Sequence, residues 1–402
     1  MYENLGILAL FAFAYSIIAS RLGRTPVNGA LVYLAFGALA GPVGLGLLDL
    51  SIGTEGIRLV AELTLALVLF TDASNADLSV LRRSFRIPQR LLLIGLPLTI
   101  LLGFGAGVLL FPELGLLEVA ILATMLAPTD AALGKAVVTN EAVPAKIREG
   151  LNVESGLNDG ICVPILFTFL ALASGSGGTG STADIAMKFL AEEIGIGVAI
   201  GVGLAWLGSR GLRASGRRGW LEDPWVALPI VGLAFACFTL TQFAGGSGFI
   251  ACFVGGLTFG AITPEHKQAV LEGAEGTGEA FSMMTWVVFG AAIVLQHPGT
   301  ADWRVVLYAV LSLTVIRMLP VFVSLLGFEL RTDAKLFFGW FGPRGLASVV
   351  FAVIVANHEL PGGDTITATV VATVVLSILA HGLTANPLST AFAARERSRS
   401  GP

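Results

Sequence analysis

Ala127-Pro128-Thr129-Asp130-Ala131 and, in the next apolar stretch, Glu154-Ser155-Gly156-Leu157-Asn158-Asp159-Gly160 decide how this chain is read. Both strings put carboxylates where a bilayer forbids them without cause. A charge at mid-membrane costs roughly 2.5–3.5 kcal/mol even on the lenient insertion scale, so such residues face a cavity, a partner or an ion pathway. The surrounding sequence has the composition of membrane spans. Of 402 residues, 55% are hydrophobic and 13% charged, against about 25% charged in soluble domains, and the mean hydropathy is +0.83. The 50 glycines agree, because small residues let transmembrane helices approach closely. The short alternating strands of a β-barrel are absent. The fold class is therefore an all-α polytopic membrane protein. Cys162, Cys237 and Cys252 stand singly in apolar runs, read as small packing residues that imply neither a disulfide framework nor a zinc site.

Apolar runs near the ~20 residues that cross a hydrocarbon core number about thirteen, at roughly 4–20, 27–47, 57–71, 89–111, 117–139, 150–173, 185–208, 225–243, 247–261, 277–296, 303–326, 334–356 and 364–385. The first has no basic n-region or A-x-A cleavage site and reads as a span, not a signal peptide. Arg21 and Arg24, then Arg82, Arg83, Arg86 and Arg90, then Lys135, Lys146 and Arg148, then Arg210, Arg213, Arg217 and Arg218, then Lys267, then Arg331 and Lys335, and finally Arg395, Arg397 and Arg399 fall on alternate sides of consecutive spans. The positive-inside rule makes that side cytoplasmic, with the N-terminus outside and the C-terminus inside. Ser174-Gly175-Ser176-Gly177-Gly178 reads as a flexible external loop, and residues 394–402 as a short basic cytoplasmic tail.

Pro128 interrupts the fifth span: it has no N–H for the carbonyl of Thr124, and its ring displaces that carbonyl. Freed carbonyls are potential ligands. The twelfth span has a comparable break at Gly342-Pro343-Arg344-Gly345. The breaks lie seven spans apart, an odd offset, so the two helices cross in opposite directions, as in inverted repeats of six spans around a linker. Paired interrupted helices in matching positions point to a transport site at the membrane midplane.

In the sixth span Glu154, Ser155, Asn158 and Asp159 share one helical face. They present carboxylate, hydroxyl and amide oxygens, and Asp130 with the Thr129 carbonyl approaches from the broken span. Hard oxygen donors without His or Cys suit a small alkali cation. Burial disfavours the charged form of a carboxylate, so a proton and a cation compete for such a site, and exchange follows from competition plus alternating access. No GxxxxGKS loop is present to bind a nucleotide, and no cofactor, nucleic acid or enzyme chemistry is called for. Arg317 and Arg344 are the basic residues placed deep in the membrane, and one of them is expected to pair with Glu154 as a permanent structural ion pair, since arginine does not neutralise itself.

At these residues the chain resembles the CPA1 monovalent cation/proton antiporters, the NhaP-type sodium/proton exchangers. The resemblance rests on Thr129-Asp130, Asn158-Asp159, the Gly342 to Gly345 break and the thirteen spans. It implies an NhaA/NhaP-like fold, a homodimer in a bacterial or archaeal inner membrane, a moving core of roughly 89–173 and 303–385, and an interface domain of roughly 4–71 and 185–296. It also implies that Asp159 and Asp130 bind the transported sodium or lithium, with Ser155 and the Thr129 carbonyl assisting. Asn158 in place of a second aspartate is similar to the electroneutral branch, where one cation exchanges for one proton. Ala131 stands where many relatives have proline.

Potassium/proton exchange on the same oxygens is the near alternative. An intramembrane aspartyl protease, whose carboxylates share a proton, would need a GxGD string that is missing, and a cation channel would favour symmetric pore-lining repeats. Asp72, Glu62 and Glu279 are polar residues without an assigned task, and His266, His297, His358 and His381 are expected to have no sensing role.

Overall fold

The computed structural model describes residues 2–22, 25, 27–48, 54–75, 86–130, 133, 137, 143–173, 182–220, 228–263, 267–291 and 302–400. Arg24, Asp49, Arg82, Arg83, Ala131, Lys135, the Ser174 to Gly178 loop, His266 and His297 lie outside them. Every regular element among the described residues is helical. In chain order these are α1 (Tyr2–Leu22), α2 (Gly29–Ala40), α3 (Thr54–Asn75), α4 (Arg86–Leu110), α5 (Leu116–Met125), α6 (Ala145–Ala173), α7 (Thr182–Arg217), α8 (Leu228–Phe243), α9 (Gly248–Ile262), α10 (Lys267–Phe289), α11 (Trp303–Ser324), α12 (Thr332–Trp340), α13 (Leu346–Ala356) and α14 (Gly363–Ser400). Six of the described helices are long and apolar enough to cross a membrane: α1, α4, α6, the Ala191–Arg217 part of α7, α11, and α14 as far as Ser398.

The chain divides into two units. One comprises Met1–Arg58, Arg86–Ser155 and Met283–Pro402; the other comprises Leu59–Phe85 and Gly156–Ser282. In the first, α13 is buried from Leu346 to Val355, as a helix apolar on every side must be. Against it pack α14 and α5, the latter buried from Glu118 to Met125, and α11 packs in turn on α14. At one end Ile87, Leu91, Ile147, Phe337, Phe338 and Phe392 form a continuous apolar cluster, in which Phe337 stacks on Phe392 with ring centroids 4.5 Å apart. Two helices here depart from regularity. α4 contains a π-helical turn at Leu91–Gly95, and α11 is interrupted at Thr314, whose φ of −111° and ψ of −94° lie outside the helical range. The interruption separates Tyr308 and Ser312 from Arg317. No sequence signal marks Thr314, although Pro320 lies farther along α11 and offers no N–H to Ile316.

In the second unit small residues set the spacing. A Cβ on Gly201 of α7 would run into the backbone of Ala251 of α9, and one on Gly256 or Gly260 into Phe70 or Ser74 of α3. Ser74 Oγ donates to the Gly256 carbonyl at 3.1 Å. The close approach of α3 to α9 therefore carries a polar bond of the kind that side chains form between membrane helices.

Candidate functional site

The first break follows α5. Hydrocarbon supplies no water to the carbonyls that Pro128 leaves without helical partners, so protein groups must satisfy them. The Thr124 carbonyl accepts from the Ala127 N–H at 3.3 Å. That of Met125 accepts from Ser348 Oγ at 2.7 Å. Arg344 Nη1 donates to Ala127 and Pro128 at 3.0 and 3.1 Å. Ser155 Oγ donates to Thr129 at 2.6 Å. The freed carbonyls thus carry hydrogen bonds within the protein, most of them from the sixth and twelfth spans.

The second break, between α12 and α13, meets the first through backbone. The Asp130 N–H donates to the Pro343 carbonyl at 2.8 Å, and Asp130 Oδ2 accepts from the Leu346 N–H at 2.9 Å. Asp130 therefore caps the N-terminus of α13 from another segment of chain, where a carboxylate is favoured by the helix dipole. Gly342 and Gly345 make room for charge. A Cβ on Gly345 would overlap the Asp130 carboxylate, and one on Gly342 would overlap the Arg317 guanidinium.

Glu154 and Arg317 form a bidentate pair, with Nη1 to Oε1 at 2.6 Å and Nη2 to Oε2 at 2.8 Å, each residue 2% exposed. The fork geometry of arginine fits a carboxylate in this way. Arg344, fully buried, instead turns to backbone carbonyls, including that of Ser312 through Nη2 at 3.4 Å. Pro128, Thr129, Asp130, Glu154, Ser155, Arg317, Gly342, Pro343, Arg344 and Gly345 are thereby gathered in the first unit. Asn158 and Asp159, both buried, follow on the next turn of α6, in the residues assigned to the second unit. There Gly156 lies against Asp72, and a Cβ on Gly160 would overlap the Phe253 ring.

Sequence reasoning passed over other members of this network. Glu118 accepts from the Gly115 N–H at 2.8 Å and from the Gly362 N–H at 2.7 Å, tying the start of α5 to the loop before α14. Ser377 Oγ accepts from the Arg344 N–H at 2.7 Å, and His381 lies beside it. Ser377, His381 and Thr384 recur at i, i+4 and i+7 in an apolar span, a periodicity that could have singled them out.

Residues 7–391 match the family described as sodium/hydrogen exchanger, transmembrane. The K(+)/H(+) antiporter NhaP2 of Shewanella oneidensis is 24% identical over 386 residues, covering 94% of this chain and 64% of that protein. A Na(+)/H(+) antiporter of Schizosaccharomyces pombe is 24% identical over 367 residues, covering 87% of this chain and 77% of that protein. The chain thus spans about 64% of the length of the Shewanella relatives. The solved structure of the sodium proton antiporter MjNhaP1 from Methanocaldococcus jannaschii superposes with a TM-score of 0.79 at 20% identity, over 95% of this chain and 99% of that one, which shows a shared fold. From the match across nearly its whole length, this multi-pass membrane chain belongs to the sodium/hydrogen exchanger family.

Proposed function

We propose that this chain is a secondary active sodium(lithium)/proton antiporter that exchanges one cation for one proton by alternating access. Asp159 is the carboxylate for which cation and proton compete. Asp130, Asn158, Ser155 and the Thr129 carbonyl are assigned with it to cation binding. The observation that supports this reading is the meeting of two interrupted helices at Asp130, bonded to Pro343 and Leu346, because discontinuous helices carry the ion sites of secondary transporters. The Glu154–Arg317 pair is structural in this scheme. The working unit is a homodimer in the cell membrane, N-terminus outside and C-terminus cytoplasmic. A core of roughly 89–173 and 303–385 moves against an interface domain of roughly 4–71 and 185–296.

Potassium is the second reading, because the Shewanella relatives are named K(+)/H(+) antiporters. Proteoliposomes with an acid interior, a pH-sensitive dye and a clamped membrane potential separate the two. Sodium and lithium, not choline, are expected to drive proton efflux, and Asp159→Ala is expected to abolish it. Efflux with potassium alone would establish the second reading. Efflux retained in Asp159→Ala would overturn the assignment of the site.

A further inference from the structure

The second break is braced from α14 by three side chains on one face. The Arg344 N–H donates to Ser377 Oγ at 2.7 Å, His381 Nε2 lies 2.8 Å from the Trp340 carbonyl, and Trp340 Nε1 donates to Thr384 Oγ at 3.0 Å. His381 Nδ1 lies 3.3 Å from Ser377 Oγ and 2.8 Å from the Ser377 carbonyl. The Trp340 carbonyl ends α12, and the Arg344 N–H stands just before α13. Both have lost the helical partners that an unbroken span would supply. Gly342 N–H reaches the same carbonyl at 2.9 Å, so Trp340 is held from its own segment and from α14 together.

Both ring nitrogens lie 2.8 Å from a backbone carbonyl, Nε2 from that of Trp340 and Nδ1 from that of Ser377, so the imidazole serves this bridge as a donor. Ser377 and His381, one turn apart on α14, thereby hold both ends of the stretch from the Trp340 carbonyl to the Arg344 N–H. His381 is 1% exposed, and its ring packs beside those of Trp340 and Phe341 at 5.2 and 6.5 Å. The braced segment carries the Pro343 carbonyl, which accepts from the Asp130 N–H, and leads directly into Leu346, whose N–H donates to the Asp130 carboxylate.

We propose that Ser377 and His381 are positioning residues for the cation site, fixing Asp130 through the unwound segment between α12 and α13. The proposal rests on the reading of Asp130 as part of that site. The ring acts through hydrogen bonds to backbone carbonyls, so a polar residue able to donate to Trp340 can replace it, whereas a purely apolar residue cannot.

The test is cation-driven proton movement in proteoliposomes of the full chain, read as apparent KM for sodium, maximal rate and pH profile. In His381→Leu and Ser377→Ala the KM is expected to rise on the order of tenfold or more, since small misplacements cost heavily in a preorganised site, with a smaller loss of maximal rate. His381→Gln is expected to recover most of the affinity with the wild-type pH profile, and His358→Gln in the loop after α13 to change nothing. Unchanged KM in both His381→Leu and Ser377→Ala, with wild-type exchange intact, would overturn the positioning role alone. A pH profile displaced in His381→Gln would overturn it too, because the ring would then act through its own proton. Wild-type protein inert toward every alkali cation would remove the exchange reading and this proposal with it.

Discussion

Arg317 and Glu154 hold two buried charges in one bidentate contact, and removing either leaves the other uncompensated. Arg317→Ala is expected to cost about 3–5 kcal/mol, read as a fall in the melting temperature of detergent-purified protein, with the Glu154→Ala, Arg317→Ala double variant recovering part of the loss. Asp130 has a structural duty at α13 beside its proposed transport one. Asp130→Asn, which keeps a side-chain oxygen for the Leu346 N–H, is expected to stay near wild-type stability, whereas Asp130→Ala loses the cap at about 0.5–2 kcal/mol. Equal melting temperatures for the two variants would contradict that duty. The carboxylates themselves were legible in the sequence, because each violates the energetics of an apolar run. Which arginine pairs with Glu154 was not, because that depends on how spans distant in sequence cross. Likewise Gly342 and Gly345 read as helix breakers, and their second task, making space for Arg317 and Asp130, is visible only when the helices meet. Gly345→Ala is expected to weaken sodium affinity and to destabilise by about 1–3 kcal/mol through overpacking, both measurable on one preparation.

Both interrupted elements announce themselves through Pro128 and Pro343, since proline cannot donate within a helix. The interruption of α11 at Thr314 does not, because no glycine or proline stands there. Glu118 illustrates another limit of local reading: in sequence it is an acid near a helix start, yet one of its oxygens holds Gly362 across the fold. Glu118→Ala would remove the acceptor of the Gly115 and Gly362 N–H groups, at about 0.5–1.5 kcal/mol for each hydrogen bond lost. Faster hydrogen exchange at Gly115 and Gly362 is the expected signature. At the start of α11, the backbone N–H of Arg304, with its side chain, holds the Asp302 carboxyl below the ordinary carboxylate range. A lowered folded-state value stabilises at pH above the unfolded value near 3.9 and ceases to do so as pH falls through the folded one. The first turn of α11 is therefore expected to loosen only in strong acid, and Asp302→Asn to remove that part of the acid dependence in hydrogen-exchange measurements.

Across the whole chain, composition and run length made the membrane-embedded helical class legible, and the family match bears out that class. What spacing does not convey is how far a helix outruns the bilayer. α14 continues to Ser400 although its apolar run ends near 385, because Phe392 finds a place against Phe337 in the apolar cluster. Phe392→Ala is expected to cost about 3 kcal/mol, and thermal melting checks it. Arg344 carries a wider implication. By occupying the Ala127 and Pro128 carbonyls it acts as a tethered cation, a permanent resident at a break that other proteins would stabilise with a dissolved ion. A carrier whose scaffold borrowed its cargo for support would fall apart at each release. Here the support is covalently attached, so the protein is expected to stay folded in sodium-free choline buffer and melt cooperatively, and a cation bound under the proposed function would be free to leave without loosening the break.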